Sequence, residues 1–109
     1  GGSYPLALQM DGGNVGIGTA SPTRKVVIYD NSPYLAFQSS HSGATASDGF
    51  QIQKDTGNIV YLWNYENTAM LFGNNGAERM RILAGGGLTF NGDTAAANAL
   101  NDYEVPLLD

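Results

Sequence analysis

Apolar and polar residues alternate along most of this chain, in short runs separated by turn-forming residues. Alternation with a period of two is typical of half-buried strands, and clusters of Gly, Asn, Asp, Ser and Pro between such runs predict turns. We predict strands over residues 25–29, 34–38, 50–54, 59–65, 69–72, 79–83 and 88–90. The pattern therefore predicts a mainly β fold built from short antiparallel strands.

One hairpin and one helical segment are predicted most directly. In "QIQKDTGNIVYL" (51–62), two strand-like runs flank a short turn that ends Gly57-Asn58, which favours a hairpin. Only "TAAANALNDY" (94–103) has helical character, because its alanines favour a helix and Asp93 or Thr94 can cap it. At about ten residues an isolated helix is marginal, so we expect a short helical turn before the C-terminal tail.

Glycines alternate with apolar residues in "GNVGIGTASP" (13–22). In a strand, Val15 and Ile17 share one face while Gly16 and Gly18 share the other. Glycine in a strand costs entropy and packs nothing, so it is useful mainly where another backbone comes close. We therefore expect a neighbouring chain against the glycine face; a loose glycine loop in a monomer is the alternative.

The strand over residues 59–65 is apolar on both faces. Ile59, Tyr61, Trp63 and Tyr65 alternate with Val60 and Leu62. Such a strand needs cover on both sides, from a second sheet or a second subunit. A chain of 109 residues has little core to provide it.

Composition excludes several classes of function. The net charge is −5 and Lys plus Arg number only five, which argues against binding to nucleic acid or anionic lipid. No apolar run approaches the roughly 20 residues that span a bilayer. There is no cysteine, so disulfides and thiolate chemistry are excluded. We interpret residues 1–3, "GGS", as a remnant of a cleaved tag.

Three segments resemble a family of fibre proteins. "GNVGIGTASPTRKVVI" is similar to the GNVGIGT element of phage tail fibres, which often lies upstream of an endosialidase-type intramolecular chaperone, and of the trimeric adhesive fibres of predatory bacteria. The match covers residues 11–28. "LWNYENTAMLFGNNGAERMRI" (62–82) and "GGLTFNGDTAAANALNDYE" (86–104) also resemble virion fibre proteins.

The resemblance implies an intertwined homotrimer that forms a fibre segment or tip, outside the cell, on a virion or on a bacterial surface. It suggests a shaft-like element over residues 4–29, a β-rich head over 30–93 and a short helix with a tail over 94–109. We expect the trimer interface to include eight residues: Val15, Gly16, Ile17, Gly18, Val60, Leu62, Leu88 and Phe90.

No catalytic, metal or cofactor motif is found. Ser40, His41 and Asp48 contain the residue types of a hydrolase triad, but no nucleophile elbow accompanies them. The glycines of residues 13–18 follow G-x-x-G-x-G, which is not a phosphate loop. The scattered aspartates lack calcium-loop spacing. We therefore predict a protein that is not an enzyme and uses no cofactor or metal.

Aromatic and polar residues cluster in "YLWNYEN" (61–67). Sugars stack their apolar faces on rings while polar side chains bind their hydroxyls, and the loop over residues 39–49 is long and polar enough for recognition. The ligand-binding candidates are His41, Asp48, Tyr61, Trp63, Asn64 and Tyr65. The alternatives are that Tyr61 and Trp63 belong to the core and that the loop is an ordinary connection.

Arg79 and Arg81 are expected on one face of their strand, opposite Met80 and Ile82. Arginine forks pair well with carboxylates or edge carbonyls between subunits, and capture of an acidic sugar is the functional alternative. Taken together, the sequence predicts a trimeric fibre that recognises a cell-surface ligand, most simply a glycan. A structural spacer without a ligand is the second hypothesis, and a segment of an enzymatic tailspike is the third.

Overall fold

The computed structural model describes residues 6–8 and 11–100. These residues form eight short strands and one 3-10 turn. The strands are β1 (Val15–Ile17), β2 (Val26–Ile28), β3 (Tyr34–Phe37), β4 (Phe50–Lys54), β5 (Val60–Asn64), β6 (Met70–Asn74), β7 (Ala77–Ile82) and β8 (Leu88–Phe90), and the turn is Ala96–Asn98. The prediction of a mainly β fold is confirmed, because every predicted strand lies at or within two residues of an observed one.

The strands form three sheets, ordered β1-β2, β3-β4-β5 and β6-β7-β8. The chain divides into two compact units; the first holds described residues 6–8, 11–37 and 51–63, and the second holds residues 38–50 and 64–100. The predicted division into shaft, head and tail is a different partition and stays a prediction.

The β1-β2 pair is parallel, whereas antiparallel strands were expected. Val15 pairs with Val26 and Ile17 pairs with Ile28. The Val15 N–H donates to the Lys25 carbonyl over 2.7 Å, and the Tyr29 N–H donates to the Ile17 carbonyl over 2.8 Å. Residues 18–25 return the chain to the start of β1, so that β2 runs beside β1 in the same direction.

Gly16 and Gly18 are needed for close contacts within the chain itself. A Cβ atom at Gly16 would collide with the backbone oxygen of Thr19, and one at Gly18 would collide with that of Tyr29. Gly18 also has a φ of +84°, which favours glycine. The expectation that another chain explains these glycines is therefore replaced by an intrachain cause; their place in a trimer interface stays a prediction.

The predicted hairpin is present as β4 and β5. Its turn closes by two backbone bonds, from the Asp55 N–H to the Ile59 carbonyl (2.9 Å) and from the Asn58 N–H to the Asp55 carbonyl (3.1 Å). Asn58 has a φ of 66°, a conformation that Asn tolerates better than most residues. Asp55 Oδ1 accepts the N–H groups of Gly57 and Ile59 at 2.9 and 3.0 Å, so this side chain fixes the turn.

In the second unit, β6-β7-β8 is antiparallel and contains a bulge. Phe72 pairs with Met80 but Gly73 pairs with Glu78, so Arg79 is the extra residue. The bulge changes the alternation of β7 and lets the Arg81 guanidinium form a two-pronged salt bridge with Glu78 on the same strand. The arginine–carboxylate pairing expected between subunits is thus found within one chain.

The C-terminal helix is shorter than residues 94–103. Only Ala96–Asn98 form a 3-10 turn, and residues 101–103 lie outside the described part of the chain. The N-cap residue is Ala95, which makes no side-chain cap bond. Asp93 still fixes the turn, since its Oδ1 accepts the Ala95 N–H at 2.9 Å and its Oδ2 accepts the Asn98 amide at 2.8 Å. The helix stops because Leu100 makes a two-way backbone bridge with Leu88, which requires an extended chain.

Hydrophobic side chains find little cover within this chain. Among the described residues no hydrophobic side chain is buried, and the buried polar ones are Gln51 and Thr89. Within the described ranges, nineteen large hydrophobic residues are exposed, including Val60 at 77% and Leu62 at 57%. An isolated sheet of two or three strands needs an apolar face packed on something to be stable, and the described residues provide no such cover.

Candidate functional site

The two faces of the β3-β4-β5 sheet differ in chemistry. By strand alternation, one face carries Leu35, Ile52, Val60 and Leu62. A groove of about 610 Å³ is lined by Pro33, Tyr34, Gln53, Lys54 and Tyr61, and also by the four residues just named together with Val26 and Ile28 of β2. We call these last six residues the aliphatic face. All four of the sheet residues are exposed, so this face offers a broad apolar surface that only another protein surface would cover well.

The opposite side of the same sheet carries polar and aromatic groups: Tyr34, Gln53, Asp55, Tyr61 and Trp63. We call these five residues the aromatic face. Their side chains meet because alternate residues of neighbouring strands share one side of a sheet. Two hydrogen-bonded pairs and one ring contact join these residues, all within the first unit.

Tyr61 and Asp55 form the first pair. The Tyr61 hydroxyl donates to Asp55 Oδ2 over 2.8 Å. This bond, helped by the Ile59 N–H, holds the pKa of the Asp55 carboxyl below its usual 3.8. The same bond raises the pKa of Tyr61 above its usual 10.0. At neutral pH the pair therefore consists of a carboxylate and a neutral phenol, and Asp55 is a fixed hydrogen-bond acceptor.

Gln53 and Tyr34 form the second pair. Gln53 Nε2 donates to the Tyr34 hydroxyl over 2.8 Å, and the same nitrogen lies 3.4 Å from the Ser32 hydroxyl. The amide oxygen of Gln53 has no partner among the described residues, and the Tyr34 hydroxyl keeps its own proton to donate. This pair thus presents both an acceptor and a donor.

Trp63 packs against Tyr61 with its ring nearly perpendicular. The ring centroids lie 6.0 Å apart at an interplanar angle of 77°, which is a favourable edge-to-face arrangement. Trp63 is 50% exposed, and its indole N–H has no partner among the described residues. The contact orients the indole while leaving it open to a ligand.

The aromatic face can therefore bind a ligand that has an apolar side and several hydroxyl groups. Its rings supply stacking area, and its polar groups supply two unused donors and two acceptors. The Tyr61 hydroxyl holds the ionised Asp55 in place, so that the carboxylate can accept hydrogen bonds from the hydroxyls of a ligand.

The remaining ligand candidates from the sequence belong to the second unit. His41 is exposed in the loop over residues 39–49. Asp48 closes that loop, because its Oδ2 accepts the Thr45 N–H at 2.9 Å and the Thr45 hydroxyl at 2.7 Å, and these bonds lower its pKa below 3.8. Asp48 thus has a structural role in the loop.

Asn64 is the last residue of β5, and Tyr65 follows it. The Asn64 amide donates to the Thr68 hydroxyl over 3.0 Å and its oxygen accepts the Glu66 N–H at 3.0 Å, so Asn64 fixes a turn. Tyr65 is exposed, and its N–H donates to the Gly49 carbonyl. Of the six candidates, the structure joins only Tyr61 and Trp63 by a direct contact that it describes.

Sequence reasoning missed Tyr34, Gln53 and Asp55. Gln53 and Asp55 could have been found from the sequence, because the predicted hairpin places both at alternating positions on the same face as Tyr61. Tyr34 could not, since its position depends on β3 pairing with β4 rather than on local pattern.

The predicted interface residues are exposed to solvent to different degrees. Val60, Leu62, Ile17 and Phe90 are exposed, whereas Val15 and Leu88 are half-buried. Exposed apolar residues at these positions agree with what an interface needs, and their burial by another chain stays a prediction.

Comparisons with known proteins and the remaining chemistry add few constraints. No family model, no curated protein and no solved structure matches this chain. The described helical residues form no segment long and apolar enough to cross a membrane. In the same part of the chain, no group of three or more His, Cys, Asp or Glu side chains is placed to hold a metal ion. The function is therefore argued from the two faces of the sheet.

Proposed function

We propose that this chain is part of a homotrimeric surface fibre, of the phage tail-fibre or phage-like adhesin type, that binds a cell-surface glycan. The observation that carries the proposal is the absence of any buried hydrophobic side chain among the described residues, together with nineteen exposed ones. Each fully buried apolar side chain contributes about 1.5–3 kcal/mol, so association that covers even part of these residues is strongly favoured.

Self-association of three chains is the arrangement that the sequence resemblance suggests. A closed ring of identical chains covers apolar faces and sheet edges without leaving a free end for further growth. The aliphatic face suits the interior, because its four strand residues have no polar side-chain atoms that burial would leave unpaired, and the Lys54 ammonium on the same side already donates to the Asp55 carbonyl and to Asn58 Oδ1. The fibre then acts outside the cell, at the surface of a virion or a bacterium.

The aromatic face suits the exterior. Its hydrogen-bonding groups are partly satisfied within the chain and partly free, so it tolerates water when empty. Three copies on one axis bind a repetitive glycan much more tightly than a single copy, because the second and third contacts are intramolecular. Each individual site can therefore be shallow and weak.

Glycan-array binding by the purified trimer tests this proposal. We expect Trp63→Ala to weaken binding about tenfold or more, since it removes the main stacking surface. Tyr29→Ala is the matched control, because Tyr29 is an exposed aromatic residue outside the aromatic face. Light scattering on each variant verifies that the trimer is intact.

Other outcomes separate the competing hypotheses. Loss of binding in His41→Ala with binding retained in Trp63→Ala would move the site to the loop over residues 39–49. A trimer that binds no glycan would be a structural spacer, and turnover of a polysaccharide would indicate a tailspike enzyme.

A further inference from the structure

The charge on the aromatic face limits which glycans it accepts. Asp55 is its only ionisable group that is charged at neutral pH, because the raised pKa of Tyr61 keeps that phenol protonated. The Asp55 carboxylate is already fixed by three hydrogen bonds, one on Oδ2 and two on Oδ1. Oδ2 therefore remains available to accept a bond from a ligand hydroxyl.

None of the five residues of the aromatic face is a cation. The pKa of Asp55 is lowered first by the Tyr61 hydrogen bond and also by the positive charge of Lys54, but the Lys54 side chain belongs to the other side of the sheet. Lys54, the neighbouring residue, donates its ammonium to the Asp55 carbonyl at 2.8 Å and to Asn58 Oδ1 at 3.0 Å. Strand alternation also places Lys54 on the side of Leu35 and Ile52, away from Gln53. In the same unit, Lys25 donates to the Gly13 carbonyl at 2.6 Å and Arg24 donates to the Thr23 carbonyl at 2.9 Å.

The two other cations of the chain are paired within the second unit. Arg81 binds Glu78 and Arg79 donates to Asn74 Oδ1 at 2.8 Å. All five Lys and Arg residues thus donate hydrogen bonds within the chain, Arg81 is the one that the described residues pair with a carboxylate, and the net charge is −5. A sialic or uronic acid unit would bring a carboxylate close to Asp55 without a cation on the aromatic face itself, and like charges a few ångströms apart repel.

The unused polar groups complement hydroxyls instead. The Trp63 indole N–H and the Tyr34 hydroxyl donate, whereas Gln53 Oε1 and Asp55 Oδ2 accept. A sugar hydroxyl both donates and accepts, so a neutral ring satisfies this mixed set while its C–H side lies on the indole.

We infer that the aromatic face selects neutral pyranose units, such as hexoses and N-acetylhexosamines, over sialic and uronic acids. The inference rests on the proposed glycan-binding function and deepens it by naming the class of sugar. Selection comes from the Asp55 carboxylate, and affinity comes from Trp63 and the paired hydroxyl and amide groups.

Matched oligosaccharides that share a neutral core and differ only by one sialic or uronic acid test the inference on the unaltered trimer. Lactose with sialyllactose, and N-acetyllactosamine with its sialylated form, belong on the array alongside pairs built on glucose and mannose. We expect the neutral member of each bound pair to bind about fivefold or more tightly, a difference that shrinks when salt is added.

Asp55→Asn identifies the cause of the selectivity. Asparagine keeps an oxygen for the Gly57 and Ile59 N–H groups and a polar group toward Tyr61, so the turn is retained while the charge is removed. We expect this variant to accept the acidic member of each pair nearly as well as the neutral one. Asp11→Asn is the matched control, because it removes an exposed carboxylate outside the aromatic face and is expected to keep the discrimination.

The outcomes distinguish this inference from the proposed function. Equal or stronger binding of acidic glycans by the unaltered trimer overturns the selectivity and leaves glycan binding standing. Selectivity that persists in Asp55→Asn overturns the assignment to Asp55. Failure of the trimer to bind any member of the array refutes the proposed function itself.

Discussion

The backbone geometry at Gly18 is tightly constrained. Its φ is +84°, and a Cβ atom would collide with the backbone oxygen of Tyr29, where β2 ends. The Gly18 position thus couples the end of β1 to the end of β2. Backbone oxygen atoms do not move aside as a flexible side chain does, so the site tolerates no side chain.

Gly18→Ala is expected to destabilise the protein by roughly 1–3 kcal/mol, because it combines strain in φ with a backbone clash. Gly85→Ala is the control, since nothing lies within 4 Å of a Cβ there and its φ is not in the left-handed region. Urea unfolding at one fixed protein concentration measures both. Equal midpoints for the two variants would refute the intrachain explanation of Gly18.

Asp55 gives the protein an acid-sensitive contact. Its folded-state pKa lies below 3.8 because of the Tyr61 hydroxyl and the Ile59 N–H. A lowered carboxyl pKa means that the folded state binds fewer protons than the unfolded state. The contribution of Asp55 to the stability of the fold is therefore complete above the usual carboxyl pKa of 3.8. It is lost as the pH falls through the lower pKa that Asp55 has in the folded state.

Asp55→Asn is expected to flatten the decrease in melting temperature between about pH 5 and pH 2, since the variant has no proton to take up at this position. Circular dichroism during heating, at a series of pH values, measures the slope. Asp30→Asn removes a carboxylate with no such bonds as the control. A slope for Asp55→Asn as steep as that of the unaltered protein would contradict the assignment.

At the scale of elements, the strands and the β4-β5 hairpin were predicted, whereas the other strand pairings were not. Phe50–Lys54 and Leu88–Phe90 have the predicted bounds, because side-chain alternation is a local property. The direction of β1-β2 and the bulge at Arg79 depend on contacts between distant segments, which alternation does not encode. The site follows the same division: Tyr61 and Trp63 were predicted from one strand, whereas Tyr34 entered through the pairing of another.

The β6–β7 hairpin is closed by a turn with two left-handed residues. Asn75 has a φ of 49° and Gly76 has a φ of 71°, the backbone that two-residue hairpin loops favour. Gly76→Ala is expected to cost roughly 1 kcal/mol from conformation alone, since nothing lies within 4 Å of a Cβ there. Asn75→Gly, which fits the turn, should be nearly neutral. Urea unfolding that ranks Asn75→Gly below Gly76→Ala in stability would contradict this.

At the scale of the whole molecule, the central fact is the exposure of the apolar side chains. The sequence indicated this from the strand that is apolar on both faces, and the structure assigns different chemistry to those faces. The sequence did not distinguish the two faces. The aliphatic face suits protein contacts, whereas the aromatic face has free polar groups.

Charge on the aliphatic face is expected to dissociate the assembly. Val60→Asp places a carboxylate where the account buries an apolar side chain, and an unpaired charge in such a place is very costly. Ser47→Asp adds the same charge in an exposed part of the second unit and should leave the assembly intact. Size-exclusion chromatography compares the two, and co-elution of Val60→Asp with the unaltered protein would remove the aliphatic face from the interface.

The most direct measurement is the molar mass of the purified protein in dilute solution, by light scattering over a range of concentrations. We expect a mass three times that of the 11.5 kDa chain, unchanged on dilution. A folded species with the mass of one chain, giving a cooperative unfolding transition independent of concentration, would contradict it.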